Sequence, residues 1–233
     1  MKRELPYFTI GESYGGSQSW FLDPWMHIGG CGALTMCDVL IYLAKNRGRP
    51  ECYPYDINRL TRRDYKKFGM MVKPYLRPRE SGIKDLKTFV DGARVYLEDS
   101  EIEGFTFTTL DGHKPYEEAE AAVRDRIDAS LPVPMLMLKH GDKRFDFFEW
   151  HWFPIIGYDE EGENGEFQIK VATYSKAHWL PFRDFWGTSE LERGGLVLIE
   201  EQPAGADGEA AGADDEAAVA DDKSAGAEKG DPA

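Results

Sequence analysis

The chain has 233 residues, of which 42% are hydrophobic and 30% charged, so it is long enough for one sizeable core or two small ones. Its net charge of −14 disfavours nucleic-acid binding, which needs clustered Lys and Arg against phosphates. No stretch approaches the roughly 20 apolar residues of a membrane span, and residues 1–10 lack the apolar segment of a secretory signal. Three cysteines without a CxxC pair suggest neither a disulfide framework nor structural zinc. We therefore expect a cytoplasmic protein with no metal or cofactor and no membrane or nucleic-acid partner.

The composition changes near residue 202. From Gln202 to Ala233, Ala, Gly, Asp and Glu dominate, and hardly any apolar side chain is larger than alanine. Nine acidic side chains and two lysines give this segment a charge of −7, half that of the whole chain. Such a segment cannot bury enough apolar surface to offset the entropy lost on ordering. We predict a globular domain over 1–201 and a disordered acidic tail over 202–233.

The first half of the domain has the residue spacing of helices. Residues 31–46 place Leu34, Cys37 and Ile41 near one helical face, with paired glycines before this stretch and another glycine after it. Two more helices are predicted, separated by a proline-containing stretch, over 56–68 and 83–97.

The second half changes to the two-residue alternation of strands. A helix over 116–129 is predicted to begin after Pro115, which suits a first helical position. Residues 160–165 have the composition of a hairpin turn. The predicted strands cover 104–110, 133–138, 150–158, 166–173 and 196–200. Helices followed by an antiparallel sheet indicate an α+β fold.

Cys31 is the first candidate for chemistry, because it follows Gly29-Gly30 and opens an apolar helix. The positive end of the helix dipole and the unpaired N–H groups there favour the thiolate, which is the nucleophilic form. The alternative is a small buried side chain that only fills the core. Cys37, inside the helix, is predicted to be core packing, and Cys52 is assigned no role.

A nucleophilic thiol needs a proton acceptor, and histidine is the usual one because its pKa lies near neutral pH. His151 begins the predicted strand HWFPIIGYD, and a rigid element suits a catalytic base better than a loop. A half-buried structural histidine is the alternative. His27 lies in a predicted loop near Cys31, whereas His113 and His140 lie in segments that we expect to be solvated.

Several neighbours of these two residues are candidates for substrate binding. Gly30 and Gly32 flank Cys31, and small residues allow a substrate backbone to approach closely. Trp150 and Trp152 flank His151, where aromatic side chains either line a groove or belong to the core. Trp20 is a further aromatic candidate in the loop before Cys31.

The sequence around Cys31 and His151 resembles the papain-like cysteine peptidases. In that family the nucleophile begins the central helix of the first lobe, and the histidine begins a strand that runs into Gly-Tyr, here Gly157-Tyr158. The order and spacing are most similar to the bacterial double-glycine, bacteriocin-processing peptidases. The resemblance covers roughly residues 15–200 and implies a helical lobe led by the Cys31 helix, packed on an antiparallel sheet that carries His151.

The first departure from the family pattern concerns the glutamine that stabilises the oxyanion. It usually lies about six residues before the cysteine, where this chain has Trp25. The nearest glutamine is Gln18, thirteen residues before Cys31, in a longer predicted loop anchored by Trp20, Phe21 and Trp25. If this loop folds back, the Gln18 amide and the Cys31 backbone N–H would hold the oxyanion. A solvated loop glutamine is the alternative.

The second departure concerns the residue that orients the histidine. The family has Asn or Asp there, and this sequence has Ala172-Thr173. The Thr173 hydroxyl or a backbone carbonyl could orient His151, and Asp184 is a more distant substitute. A missing orienting residue weakens such a site without abolishing it.

Three functions remain open from the sequence. The first is a thiol hydrolase that cleaves a peptide or amide bond through a Cys31 acyl-enzyme, with His151 as general base and a peptide or protein substrate. The second is an acyltransferase or transglutaminase-like enzyme that uses the same dyad with another acceptor. The third is an inactive papain-like domain that binds a peptide.

Overall fold

The computed structural model describes residues 1–162 and 165–202. Residues Met1–Gln202 form one compact unit, and the backbone N–H of Gln202 donates to the carbonyl oxygen of Gly104 over 2.8 Å. Gln202 therefore belongs with the globular part, one residue beyond the predicted boundary. The rest of the predicted acidic tail lies outside the described residues.

The α-helices of the described residues carry most of the first half of the fold. They are α1 (Pro24–Gly29), α2 (Cys31–Asn46), α3 (Arg62–Val72), α4 (Leu86–Asp99), α5 (Tyr116–Asp128) and α6 (Phe182–Trp186). Short 3₁₀ helices cover Gln18–Trp20, Pro50–Cys52 and Lys143–Phe148.

The central helix, α2, has the bounds that the sequence predicts. Every residue from Cys31 to Ala44 is buried, because α2 packs against the sheet on one side and α3 on another. A helix that is apolar on all sides is stable only when it is enclosed in this way. Cys37 is fully buried and packs in the core, as predicted. Asp38 is the one acidic residue in the buried stretch.

Two helices begin later than predicted because of capping side chains. The Thr61 hydroxyl accepts the backbone N–H of Asp64 over 3.1 Å, so that α3 begins at Arg62 and residues 56–60 form turns. The Asp85 carboxylate accepts the N–H of Thr88 over 2.7 Å, so that α4 begins at Leu86. Hydrophobic spacing alone does not locate these helix starts. They depend on the capping side chains, which accept hydrogen bonds from first-turn N–H groups that have no partner within the helix.

The strands of the described residues confirm a mixed α+β fold with an antiparallel sheet. They are β1 (Lys2–Glu4), β2 (Thr9–Ile10), β3 (Ser13–Tyr14), β4 (Phe105–Asp111), β5 (Val133–Met137), β6 (His151–Asp159), β7 (Gln168–Thr173), β8 (Lys176–Pro181) and β9 (Gly195–Glu201). The main sheet has the order β4-β9-β5-β6-β7-β8, while β2 and β3 form a separate hairpin.

The longest of these strands, β6, lies within the sheet and is buried over its first eight residues. Its first half pairs with β5, its second half pairs with β1, and β7 lies along its other edge. Helices α2 and α5 pack against it. The fold therefore brings the start of β6, which is His151, against the α2 helix.

Elements that the sequence did not indicate include α1, β1, β8 and α6, which are short and have weak periodicity. No helix in residues 1–162 and 165–202 combines the length and the apolar character that crossing a bilayer requires.

Candidate active site

Cys31 lies where two helices meet, since α1 ends at Gly29, Gly30 caps both helices, and α2 begins at Cys31. The segment 79–82, which precedes α4, packs next to it. A Cβ atom on Gly29 would overlap the Arg79 carbonyl oxygen, so that only glycine fits there. A Cβ atom on Gly82, whose φ is +68°, would lie 3.7 Å from the Cys31 Sγ. The side chain of Cys31 is accordingly only 6% exposed.

The electrostatic environment of Cys31 differs from the sequence-based expectation of a lowered pKa. Loss of hydration on burial raises the pKa of the thiol above its usual value. Backbone hydrogen bonding from Trp152, Gly32 and Cys31 itself acts in the opposite direction, but its effect on the pKa is smaller. The resting side chain is therefore a neutral thiol.

His151, the first residue of β6, is held by a hydrogen bond from the neighbouring strand. Its Nε2 atom lies 2.7 Å from the Thr173 hydroxyl oxygen, at the end of β7. Burial lowers the pKa of His151 to about 3, and the side chain is 6% exposed. The imidazole is therefore neutral at pH 7, with Nε2 engaged and Nδ1 as its other ring nitrogen.

Cys31 and His151 line one cavity of about 30 Å³. This volume holds one or two water molecules. Gln18, Thr173, Tyr174 and Asp38 also line it, together with other side chains of α2 and β6. The tertiary structure thus brings all four predicted catalytic residues, Cys31, His151, Gln18 and Thr173, to the lining of one small cavity.

Gln18 reaches this cavity from the 3₁₀ helix Gln18–Trp20 rather than from an open loop. Its Oε1 atom is buried and has no hydrogen-bond partner within the described part of the chain. Buried polar atoms without partners are rare and often mark functional positions. A half turn of the terminal amide exchanges Oε1 and Nε2, because this torsion is roughly two-fold, so that either atom can occupy the buried position.

Tyr174 is a site residue that the sequence did not indicate. Its ring stacks on the His151 imidazole with centroids 4.5 Å apart and an interplanar angle of 5°. Tyr174 and Ser175 form the two-residue turn between β7 and β8, with φ values of 47° and 65°. Such turns favour Asn and Gly, so a tyrosine there is strained. The strained turn holds the aromatic ring against the histidine.

No family model, curated protein or solved structure matches this chain. The resemblance to papain-like peptidases therefore stays a prediction that rests on two motifs, their order and their spacing. Across residues 1–162 and 165–202, no group of three or more His, Cys, Asp or Glu side chains is arranged to hold a metal ion.

Three of the predicted substrate-binding residues have structural roles in the fold. The Trp152 indole is 2% exposed, stacks on Phe89 with centroids 4.3 Å apart, and donates from Nε1 to the Ile83 carbonyl over 2.7 Å. A Cβ atom on Gly32 would lie 3.1 Å from Ile83 Cδ1. A Cβ atom on Gly30 would overlap the α1 backbone. The close approaches at these residues are made by the protein itself, although Trp152 also lines the cavity. The prediction that the three contact a substrate stays a prediction.

The other two predicted substrate-binding residues, Trp20 and Trp150, are partly exposed. The Trp20 ring contacts Tyr65 edge to face, with centroids 5.5 Å apart. The Trp150 ring lies beneath the ammonium group of Lys84, 4.7 Å from its centroid. Neither residue lines the cavity around Cys31 and His151. The prediction that they contact a substrate remains a prediction.

The orienting group that bonds His151 is the Thr173 hydroxyl, the first of those that the sequence offered, whereas Asp184, the more distant substitute, pairs with Arg144 over 2.9 Å. Two histidine environments differ from the sequence-based expectation. His140 is buried, contrary to the expectation that it is solvated, because its Nε2 bonds the Asp184 carbonyl and its ring packs on Phe145. His27 lies in α1 rather than in a loop, and is exposed.

Proposed function

We propose that this protein is a papain-like thiol hydrolase that cleaves a peptide or amide bond through an acyl-enzyme on Cys31. The observation that carries the proposal is the convergence of Cys31, His151, Thr173 and Gln18 on one cavity. These residues lie in four separate elements of the fold. Their types supply the nucleophile, base, orienting group and oxyanion donor that acyl transfer needs.

We assign Nδ1 of His151 as the base, because Nε2 is the nitrogen that bonds Thr173. When Nε2 carries the proton and donates to the Thr173 oxygen, Nδ1 has a free lone pair. Because both partners are neutral at rest, the thiol proton moves to Nδ1 as the sulfur attacks the substrate carbonyl carbon. The imidazolium then gives that proton to the leaving amine as the C–N bond breaks and the thioester remains on Cys31.

The oxyanion formed during attack needs hydrogen-bond donors placed in advance. The backbone N–H of Cys31 belongs to the first turn of α2 and has no intrahelical acceptor. The Gln18 amide lines the same cavity and supplies the second donor through Nε2. Water then attacks the thioester, His151 takes its proton, and the carboxylic acid and free thiol are released.

An acyltransferase is a second candidate, and the burial of Cys31 and His151 favours it. Each of the two residues is 6% exposed and therefore contacts little bulk water. Exclusion of water protects a reactive intermediate from hydrolysis. An amine acceptor bound nearby would then compete with water for the thioester.

Acylation of Cys31 by p-nitrophenyl acetate tests the proposal directly. We expect a burst of p-nitrophenol of one equivalent, and an acetyl group located on Cys31 by peptide mapping. Cys37 and Cys52 are buried thiols in the same chain and serve as internal controls. Release of acetate in water indicates the hydrolase, whereas release that depends on added amine indicates the acyltransferase. If Cys31 forms no acyl-enzyme, both are wrong and an inactive binding domain is left.

Replacing Thr173 by valine tests the orienting role of the hydroxyl. Valine keeps the shape of the side chain but cannot bond Nε2, so we expect acylation to slow by about 10- to 100-fold. Thr173→Ser restores the hydroxyl and should retain most of the rate. Stopped-flow burst kinetics of both variants give the comparison, and equal rates for valine and wild type would contradict this role.

A further inference from the structure

Asp38 is a buried carboxylate that the proposed mechanism does not use directly. It lies on α2 seven residues after Cys31, which is two helical turns and about 10 Å along the axis. Residues spaced by seven share one helix face, and both side chains line the cavity. Asp38 is therefore fixed to the same rigid element as the thiol.

Three donors from three different segments converge on the Asp38 carboxylate. The hydroxyl of Tyr65, in α3, donates to Oδ1 over 2.6 Å. The hydroxyl of Tyr7 and the backbone N–H of Gly16 donate to Oδ2 over 2.9 and 3.3 Å. A carboxylate accepts all three because it has two oxygens and no donor. The hydrogen bond to Gly16 links Asp38 to the segment that carries Gln18.

Tyr65 holds the same short segment at both ends. A Cβ atom on Gly16 would overlap the Tyr65 ring, so that the backbone of Gly16 lies directly on it. The Trp20 ring packs edge to face on Tyr65. Gln18 lies between these two contacts, in the 3₁₀ helix that follows Gly16. The Asp38–Tyr65 pair thus packs directly against the segment that carries Gln18.

We propose that Asp38, together with Tyr65, is a positioning residue for the oxyanion site: it fixes the Gly16–Trp20 segment to the Cys31 helix and so sets where the Gln18 amide lies relative to the thiol. This inference rests on the proposed acyl-transfer function. It assigns Asp38 no contact with the reacting atoms. Its effect passes entirely through Gln18.

Two reactions of the same thiol separate this role from a general structural one. Acylation by p-nitrophenyl acetate forms an oxyanion, whereas alkylation by iodoacetamide displaces iodide and forms none. Asp38→Ala removes all three hydrogen bonds. We expect it to slow acylation at least tenfold while alkylation of Cys31 changes by less than twofold. Gln18→Ala should have the same signature.

A conservative variant and a double variant complete the experiment. Asp38→Asn keeps one oxygen for Tyr7 and Gly16, and its amide can donate to the Tyr65 oxygen while that hydroxyl turns to the Leu34 carbonyl, 3.5 Å away. We therefore expect Asp38→Asn to acylate within about threefold of wild type. In a Gln18→Ala background, Asp38→Ala should have no further effect, because the residue it positions is gone.

Circular dichroism and thermal melting establish that each variant is folded. If Asp38→Ala is not folded, Tyr65→Phe replaces it, since this variant loses the bond to Asp38 but keeps the ring beneath Gly16 and Trp20. The inference is overturned if acylation and alkylation fall together, if acylation is unchanged, or if the effect persists without Gln18. Failure of the proposed function looks different: wild type is then alkylated at Cys31 but never acylated.

Discussion

Replacing His151 by alanine is expected to slow acylation of Cys31 by about 10²- to 10³-fold at pH 7. The reason is that burial raises the pKa of the Cys31 thiol, so that the fraction ionised without a base is small. His151 provides the proton acceptor within the same cavity. Burst kinetics with p-nitrophenyl acetate give the rate, and Cys31→Ala defines the background.

Two other histidines provide controls for this experiment. His140 is also buried, but it packs on Phe145 and does not line the cavity. His113 is exposed. We expect His140→Ala and His113→Ala, where folded, to acylate within a few-fold of wild type. A His151→Ala protein that acylates at the wild-type rate would remove His151 from the mechanism.

The pH dependence of stability should show that His151 is buried in its neutral form. Its pKa is about 3 in the folded protein, against 6.5 for a solvated histidine. Between these two pH values the unfolded chain therefore binds a proton on His151 that the native state excludes. The free energy of unfolding consequently decreases as the pH falls. Between pH 6.5 and 4 the loss amounts to about 3 kcal/mol. His151→Gln should lack this contribution.

Asp38 should make a contribution of opposite sign to the pH dependence of stability. Burial raises its pKa to about 6 from 3.8, so that the native state keeps a proton that the unfolded chain has released. The resulting stability is present at low pH and is lost as the pH rises through 6, again by about 3 kcal/mol. Asp38→Asn should lack it. The two effects partly cancel in wild type between pH 4 and 6.

Urea unfolding of wild type, His151→Gln and Asp38→Asn from pH 4 to 7.5 tests both statements. Relative to wild type, we expect His151→Gln to gain stability as the pH falls and Asp38→Asn to lose it. Carboxylates in surface ion pairs titrate equally in all three proteins, so they drop out of these differences. Parallel pH profiles for wild type and His151→Gln would mean that the native state accepts a proton on His151.

Local sequence was sufficient for the helices and strands with strong patterns. The bounds of α2 follow from its continuous apolar character and from the glycines on either side, which are features within about 20 residues. The strands that carry His151 and Thr173 follow from apolar runs and from the short turn between them. Short elements such as α1 and β1 were not, because tertiary contacts rather than local preference stabilise them.

The candidate nucleophile and base could also be identified locally, since Cys31 begins a helix and His151 begins a strand. Asp38 carries a local signal that could have been used, namely an acidic residue in the middle of an apolar helix. Its partners could not be predicted, because Tyr7 and Tyr65 lie 31 and 27 residues away and reach it only after the chain has folded.

The sequence by itself determined the α+β class, the central helix and the two residues that could form a thiol–imidazole pair. Only the tertiary structure decided that Thr173 bonds His151, that Tyr174 stacks on it, and that Gln18 lines the same cavity. The tertiary structure also decided which side chains are buried. Burial makes both Cys31 and His151 neutral at rest, because it removes the water that would stabilise their charged forms. The segments that exclude this water lie far away in sequence, so the local pattern does not record them.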